Sequence, residues 1–461
     1  MMIGLVLVSC DDFVDVSTPK NQIDTKGVFS SNETALSAIS GVYAEMMTNG
    51  GFASGAYNSV TFLSSLSGDD LMSTFSDTEI KAFYTNSILP TNSLSADYLW
   101  SEPYKFIYYA NSILDGLSTS TTLEDSVSRQ IEGEAKFIRA FCNFYLVNLF
   151  GDVPIVKTTP FEINTALERS PKKDVYAEII TDLLDAEKLL SDSYEFSVQR
   201  VRPNKYAASA LLARVYLYNS EWDKAEQYAS AVIENSSLYS LADVSEVFKM
   251  DNTEAIWQLM PPDPWLLRES TVFILTYEPL NNVYLNPDLV ASFDAEDSRL
   301  TTWIDSIKVD DKIYFFAYKY TDVDGAVTEY STVLRLAEQY LIRAEARAHQ
   351  NKISLSVDDL NVTRTRANAV LLDGADPSLD QAKLLDEIEL ERRREFFTEW
   401  GHRWLDLKRW QSKSDPTLTR ADDVLPDFKG NLWQRTDVLY PIPNIQLQND
   451  PNMVNSQNPG Y

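Results

Sequence analysis

The chain of 461 residues carries 68 acidic against 40 basic side chains, a formal net charge of −28. A field of that sign repels phosphate backbones and argues against a nucleic-acid partner, while suiting neutral ligands or cations and keeping a protein soluble. A hydrophobic fraction of 44% and a charged fraction of 23% are those of a folded protein with a sizeable core. The length exceeds what one simple core supports, so one large body with elaborated loops, or two lobes sharing an interface, is expected.

The first nine residues form a short apolar run, far below the ~20 needed to span a bilayer. They read as the truncated tail of a signal segment, without its positive start. Leu7-Val8-Ser9-Cys10 resembles a bacterial lipobox, with a small residue before the cut and a thiol to carry the lipid. Cys10 is therefore the expected lipid attachment, residues 10–22 a tether, and 23–461 a single body.

Residues 33–47 carry Leu36, Ile39, Val42, Tyr43 and Met46 at helical spacing, with Ser31 and Asn32 as caps. Residues 48–95 lose that period. They are rich in Gly, Ser, Thr and Asn with interleaved aromatics, and read as a long functional loop. Helical periodicity returns at 97–116, at 127–150 up to Gly151-Asp152-Val153-Pro154, and at 174–190. Residues 203–234 alternate small and large side chains at tetratricopeptide offsets, with a turn at Asn219-Ser220. A second such hairpin fits 338–348 with 358–369. Between them, 255–259 and 313–320 read as short strands, and Asp324-Gly325 as a hairpin turn. Residues 384–411 return to helix with Arg392-Arg393-Arg394, and 412–461 read as a loop-rich tail. Helical hairpins thus occupy mainly 33–47, 97–240 and 335–411, and a loop-rich half mainly 48–96 and 250–334.

No H-E-x-x-H, G-x-S-x-G, P-loop or G-x-G-x-x-G occurs. The second cysteine, Cys142, sits in an apolar helical run and reads as a small core residue. Asp322-Val323-Asp324-Gly325 opens like a calcium loop but lacks the later ligands and the closing Glu, so the turn reading wins. No metal, cofactor or catalytic group is expected.

Several blocks, in order, resemble the SusD/RagB family. They are Cys10-Asp11-Asp12-Phe13; Phe137 to Phe141 with Leu146 to Pro154; Arg335 to Glu338 with Arg343 to Ala346; Leu360-Asn361 with Arg364 and Arg366-Ala367; Glu391 to Phe396 with Gly401 to Arg409; and Tyr440 to Pro443 with Gln457 to Tyr461. The resemblance implies a mainly α, SusD-like fold with tetratricopeptide-like helical hairpins and an irregular, ligand-binding half with a few short strands. It also implies a non-enzymatic lipoprotein, lipid-anchored in the outer membrane and facing the cell exterior. Such a protein binds an oligosaccharide and delivers it to a SusC-like TonB-dependent transporter. The alternatives are a peptide-binding RagB-like uptake lipoprotein and a protein-binding surface scaffold. The Arg392–Arg394 triplet with Glu389, Glu391 and Glu395 reads as an internal ion-pair cluster.

Stacking on the C–H face of a sugar needs solvent-facing rings on loops. The candidates are Trp265, first, then Trp100, Tyr284, Tyr57, Phe75 and Tyr84, with Asn282 and Asp70, and also Asn58 and Asp69, for the hydroxyls. Trp222, Trp257 and Trp404 lie in regular elements and are expected in the core.

Overall fold

The computed structural model describes residues 25–48, 51–197, 199–262, 267–323 and 327–461. Cys10 and its tether, Trp265 and the Asp324-Gly325 turn lie outside the described residues. The first long helix, Asn32–Met47, starts where the Ser31 side chain accepts a hydrogen bond from Thr34 N. The helix Asp125–Phe150 is the axis of the body. Its last twenty residues are almost wholly buried, and the helices Glu102–Thr119 and Lys172–Leu189 flank it. It stops at Gly151, whose φ of 77° only glycine adopts freely, and a Cβ there would lie 2.9 Å from Leu439.

Two helical hairpins follow the expected pattern. Lys205–Tyr218 packs on Trp222–Ile233, and Leu336–His349 on Ile353–Arg366; the two pairs join through Trp222–Ile233 against Leu336–His349. Small residues make the close approach possible: Ala207, Ala210, Ala225, Ala229, Ala344 and Ala348 are fully buried. Cys142, Trp257 and Trp404 are core, as read. Trp222 is not; it is half-buried and stacks on His349 at 3.9 Å, closing the outer edge of the seam.

Among the described residues, six strands form three two-stranded antiparallel ribbons: β1 (Leu71–Ser73) with β3 (Val283–Leu285), β2 (Ala255–Leu259) with β6 (Ser331–Arg335), and β4 (Ile304–Val309) with β5 (Lys312–Ala317). One apolar core runs from Phe29 to Met453, and a smaller cluster under Leu341, Leu360 and Leu384 joins the second hairpin to the helix Gln381–Phe396.

Three segments differ from their reading. The stretch 48–95 contains the helices Val60–Ser67 and Thr78–Tyr84. Every residue of Val60–Ser67 is buried, so it has no polar face to create a period. Two of its hydroxyls turn back on their own helix instead, Ser65 Oγ donating to Thr61 O at 2.7 Å and Ser67 Oγ to Leu63 O at 3.4 Å. The run 384–411 is two helices, Gln381–Phe396 and His402–Arg409, broken where Thr398, Trp400 and Gly401 take positive φ. The tail contains the helices Arg420–Lys429, begun by a Thr419/Asp422 capping box, and Asn444–Asn449.

The signature arginines and glutamates are ion-paired, but outward rather than with one another. Arg392 meets Asp406 at 2.7 Å, Arg393 meets Asp69 and Asp70, and Arg394 reaches Asp294 at 3.9 Å. Glu391 takes Arg299 and Arg364, Glu395 takes Arg299, Arg335 and Arg366, and Glu389 takes Arg403 and Arg420. One helix thus clamps six other parts of the chain, around residues 69–70, 294–299, 335, 364–366, 403–406 and 420.

Candidate functional site

The β1–β3 ribbon carries aromatic side chains on loops and short elements. Its register sets Met72 opposite Tyr284. The Tyr84 hydroxyl reaches the Met72 sulfur at 3.9 Å, and Tyr284 meets Tyr314 of β5 edge-on, centroids 5.2 Å apart. Phe428 closes on Tyr84 at 6.0 Å. Further along the same chain segment, Phe75 packs against Tyr57 at 5.6 Å, and both pack against the buried Phe62. Tyr57, Phe75, Tyr84 and Tyr284 are each half-buried, so one face of each ring is supported and part stays open. Burial first, and a neighbouring phenol second, raises the pKa of Tyr57 (Tyr277), Tyr84 (Tyr284) and Tyr284 (Tyr314). All three phenols stay neutral donors at physiological pH.

Polar groups line the same ribbon. Thr74 N and Oγ1 donate to Asn282 O, and Ser76 Oγ donates to Asn281 Oδ1 at 2.7 Å, fixing a turn in which Asn281 has φ 51°. Asn282 Oδ1 accepts from Val283 N at 2.8 Å. The exposed Thr74, Ser76 and Asn281 therefore sit beside the rings.

The ribbon is bolted to the signature helices. Asp69 takes Arg403 Nε at 2.6 Å, and Asp70 takes Arg393 Nε at 3.1 Å. Burial opposes ionisation of Asp69, but Arg403 and Arg393 win and hold its carboxyl well below the usual range. For Asp70 burial prevails over Arg393, and its pKa is raised. The Lys429 ammonium ties the far side, donating to Leu66 O at 2.7 Å and lying 4.5 Å from the Tyr84 ring centre.

Beneath the Tyr57 loop, Glu269 is buried with Oε1 taking the Ser331 hydroxyl at 2.6 Å and Oε2 without a hydrogen-bond partner among the described residues. Gly55, at φ 75°, lets the loop close over it; a Cβ there would lie 2.1 Å from the carboxyl carbon. Burial pushes the Glu269 pKa up from 4.5 to about 7, against the Ser331 hydrogen bond. The folded chain therefore holds a proton here that the unfolded chain has lost. The stability Glu269 contributes is present below about pH 4.5 and disappears as pH rises through 7. Glu269→Gln is expected to raise the melting temperature at pH 8 and leave it unchanged at pH 4; an equal shift at both would show that the carboxyl does not titrate between them.

The eight expected ligand residues separate clearly. Tyr57, Phe75, Tyr84, Tyr284 and Asn282 come together on or beside the ribbon. Two do not face solvent. Asp70, 1% exposed, is spent on Arg393 and on holding the ribbon. Trp100, 3% exposed, packs edge-on against Phe150 at 4.9 Å in a different part of the body. Trp100 stands where the helix is hydrophobic on its inner face, and that face turns inward. Trp265 lies outside the described residues. Missed in the sequence were Tyr277, 67% exposed and beside Tyr57, and Tyr314. Tyr314 was hidden in an apolar strand run, and Tyr277 in the irregular stretch just before Glu278-Pro279, where a signal existed.

Residues 12–217 match a family described as starch-binding and associating with the outer membrane, and residues 277–461 match the SusD family. The chain belongs to the SusD/RagB family. A SusD-like protein of Formosa agariphila is 26% identical over 99% of this chain and 98% of its own length. The starch-binding protein SusD of Bacteroides thetaiotaomicron is 26% identical over 75% of each chain. A laminarin-binding SusD-like protein of known structure superposes with a TM-score of 0.74 at 24% identity, covering 93% of this chain and 99% of that one. The mainly α SusD-like fold is therefore this chain's own. Among the described residues no helix is long and apolar enough to cross a membrane, and no cluster of three His, Cys, Asp or Glu is arranged for a metal.

Proposed function

We propose that this SusD/RagB protein binds a neutral oligosaccharide on the β1–β3 ribbon and passes it to a SusC-like TonB-dependent outer-membrane transporter. It does so from the cell surface, held by a lipid on Cys10. The observation that carries the reading is the set of half-buried rings, Tyr57, Phe75, Tyr84 and Tyr284, interleaved with exposed hydroxyl and amide groups. Rings supported from behind offer flat apolar faces at little entropic cost, and Thr74, Ser76 and Asn281 suit sugar hydroxyls. Relatives named for starch and laminarin favour glucans. The ribbon holds its carboxylates in ion pairs behind it, which suits capture rather than cleavage.

Calorimetric titration with maltose-series and laminarin-series oligosaccharides tests the reading. Binding is expected for at least one series, about tenfold weaker in Tyr284→Ala, with no sugar released on long incubation. Binding of peptides and of no oligosaccharide would replace it with the RagB-like alternative.

A further inference from the structure

A second cleft lies away from the aromatic ribbon. It opens between the end of the helix Asp125–Phe150, the start of Lys172–Leu189, the helix His402–Arg409 and the chain's last residues, and has a volume of about 440 Å³. Arg169, Lys172, Lys408 and Arg409 line it against a single carboxylate, Asp152.

Arg409 is accounted for, pairing with Glu345 and with Asp406 at 2.8 Å. The other three cations have no carboxylate within ion-pair distance among the described residues. Arg169 donates only to neutral oxygens: Asp152 O at 2.7 Å, Phe150 O at 3.3 Å, Asn458 Oδ1 at 2.5 Å, and Ser456 O. Lys408 Nζ donates to Asn148 O and lies 4.9 Å from the centre of the Trp404 ring. Lys172 Nζ lies over the Tyr176 ring at 5.6 Å. Lys172 also opens an 18-residue helix whose N-cap, Pro171, supplies no side-chain cap. Its own backbone N–H is met by Asp152 Oδ1 at 2.7 Å, and that of Asp174 by Pro171 O at 2.8 Å. The positive end of the helix dipole therefore adds to the cations.

Such a group is out of character for this chain. With 68 acidic side chains, carboxylates are not scarce, and the buried signature arginines each find one or more. Gathering these cations in a partly buried cleft with one carboxylate, Asp152, acting on Arg169 and Lys172 is costly. Burial first, and the neighbouring Lys172 next, depresses the Lys408 ammonium. An incoming anion relieves that cost.

We propose that this cleft is an oxyanion site, taking a carboxylate, sulfate or phosphate group, with Lys172 and Lys408 as its direct donors and Arg169 and the helix start as its supporting field. At ~30 Å³ per water molecule, the cleft has room for a sugar-sized body behind the anionic group. The site shares no residue with the aromatic ribbon, so the two readings stand or fall separately.

The test uses the full chain in chloride buffers of matched ionic strength. Sodium sulfate, sodium phosphate, acetate and glucuronate are titrated calorimetrically, with thermal unfolding in parallel. One or more of these oxyanions is expected to bind and raise the melting temperature above that in chloride. Lys172→Gln, a change at an exposed position, is expected to weaken that binding about tenfold, and Lys172→Glu to abolish it. Neither should alter titration by the neutral oligosaccharides. Glucuronate binding tighter than acetate identifies a sugar-borne anion; equal binding identifies a free one. No oxyanion-specific binding in the unmodified chain, or equal affinity in Lys172→Gln, overturns the proposal.

Discussion

Glu395→Ala is expected to lower the unfolding free energy by about 3–5 kcal/mol, a large part of the ~5–15 kcal/mol of an ordinary fold. Glu395 is completely buried. Its Oε1 takes Arg335 at 2.5 Å and also Arg366, and its Oε2 takes Arg299 at 2.7 Å. Removing it leaves three buried guanidinium groups short of a counter-charge, and the uncompensated charge, more than the lost contact, sets the magnitude. Burial works against the Glu395 carboxylate, but Arg366, Arg335 and Arg299 hold its pKa well below 4.5. The contribution is therefore complete above the ordinary carboxylate range and is lost as pH falls through the depressed value. Denaturant unfolding at pH 7 and pH 3 checks both parts: the variant's deficit should be full at pH 7 and smaller in acid. A deficit below about 1 kcal/mol at pH 7 would show that the remaining acids, Glu254, Glu391 and Glu399, neutralise the arginines unaided.

The second large effect concerns the ligand. Tyr57→Ala combined with Tyr284→Ala is expected to weaken oligosaccharide binding about a hundredfold, each change alone giving about tenfold. The two rings belong to separate aromatic groups, one around Phe62 and Phe75, the other around Met72 and Tyr314. They do not touch in the free protein, so their effects should multiply if one chain of sugar lies across both. Calorimetry of the two single variants and the double variant measures this. If Tyr57→Ala has no effect while Tyr284→Ala does, the ligand occupies only the β3–β5 end. Circular dichroism and melting of each variant separate loss of binding from loss of fold, since half-buried rings at the surface should cost little stability.

The helices were legible because most are amphipathic, and their caps obey local chemistry: Ser31, Asn204 and Asp380 each accept from a first-turn N–H. The segment Val60–Ser67 was illegible for the opposite reason, being buried on every side. For the candidate site, sequence named five residues that the fold brings to or beside the ribbon. Tyr57, Phe75, Tyr84, Tyr284 and Asn282 stand in irregular segments, where rings have no periodic core role to fill. It could not tell that Trp100 turns inward, because a ring at a helix start looks the same from either side. Nor could it find Tyr314, which occupies an ordinary strand position.

Sequence by itself determined the family and the helical hairpins, because these rest on local periodicity and on short blocks of neighbouring residues. Tertiary structure alone decided the pairing. Asp69 and Arg403 are 334 residues apart, and nothing local to either names the other. The same holds for Met72 opposite Tyr284, and for Lys172 beside Lys408. Charge and aromatic content are written along the chain, but which carboxylate neutralises which arginine, which rings share a surface, and which cations are left out of ion pairs depend on distances that only folding sets.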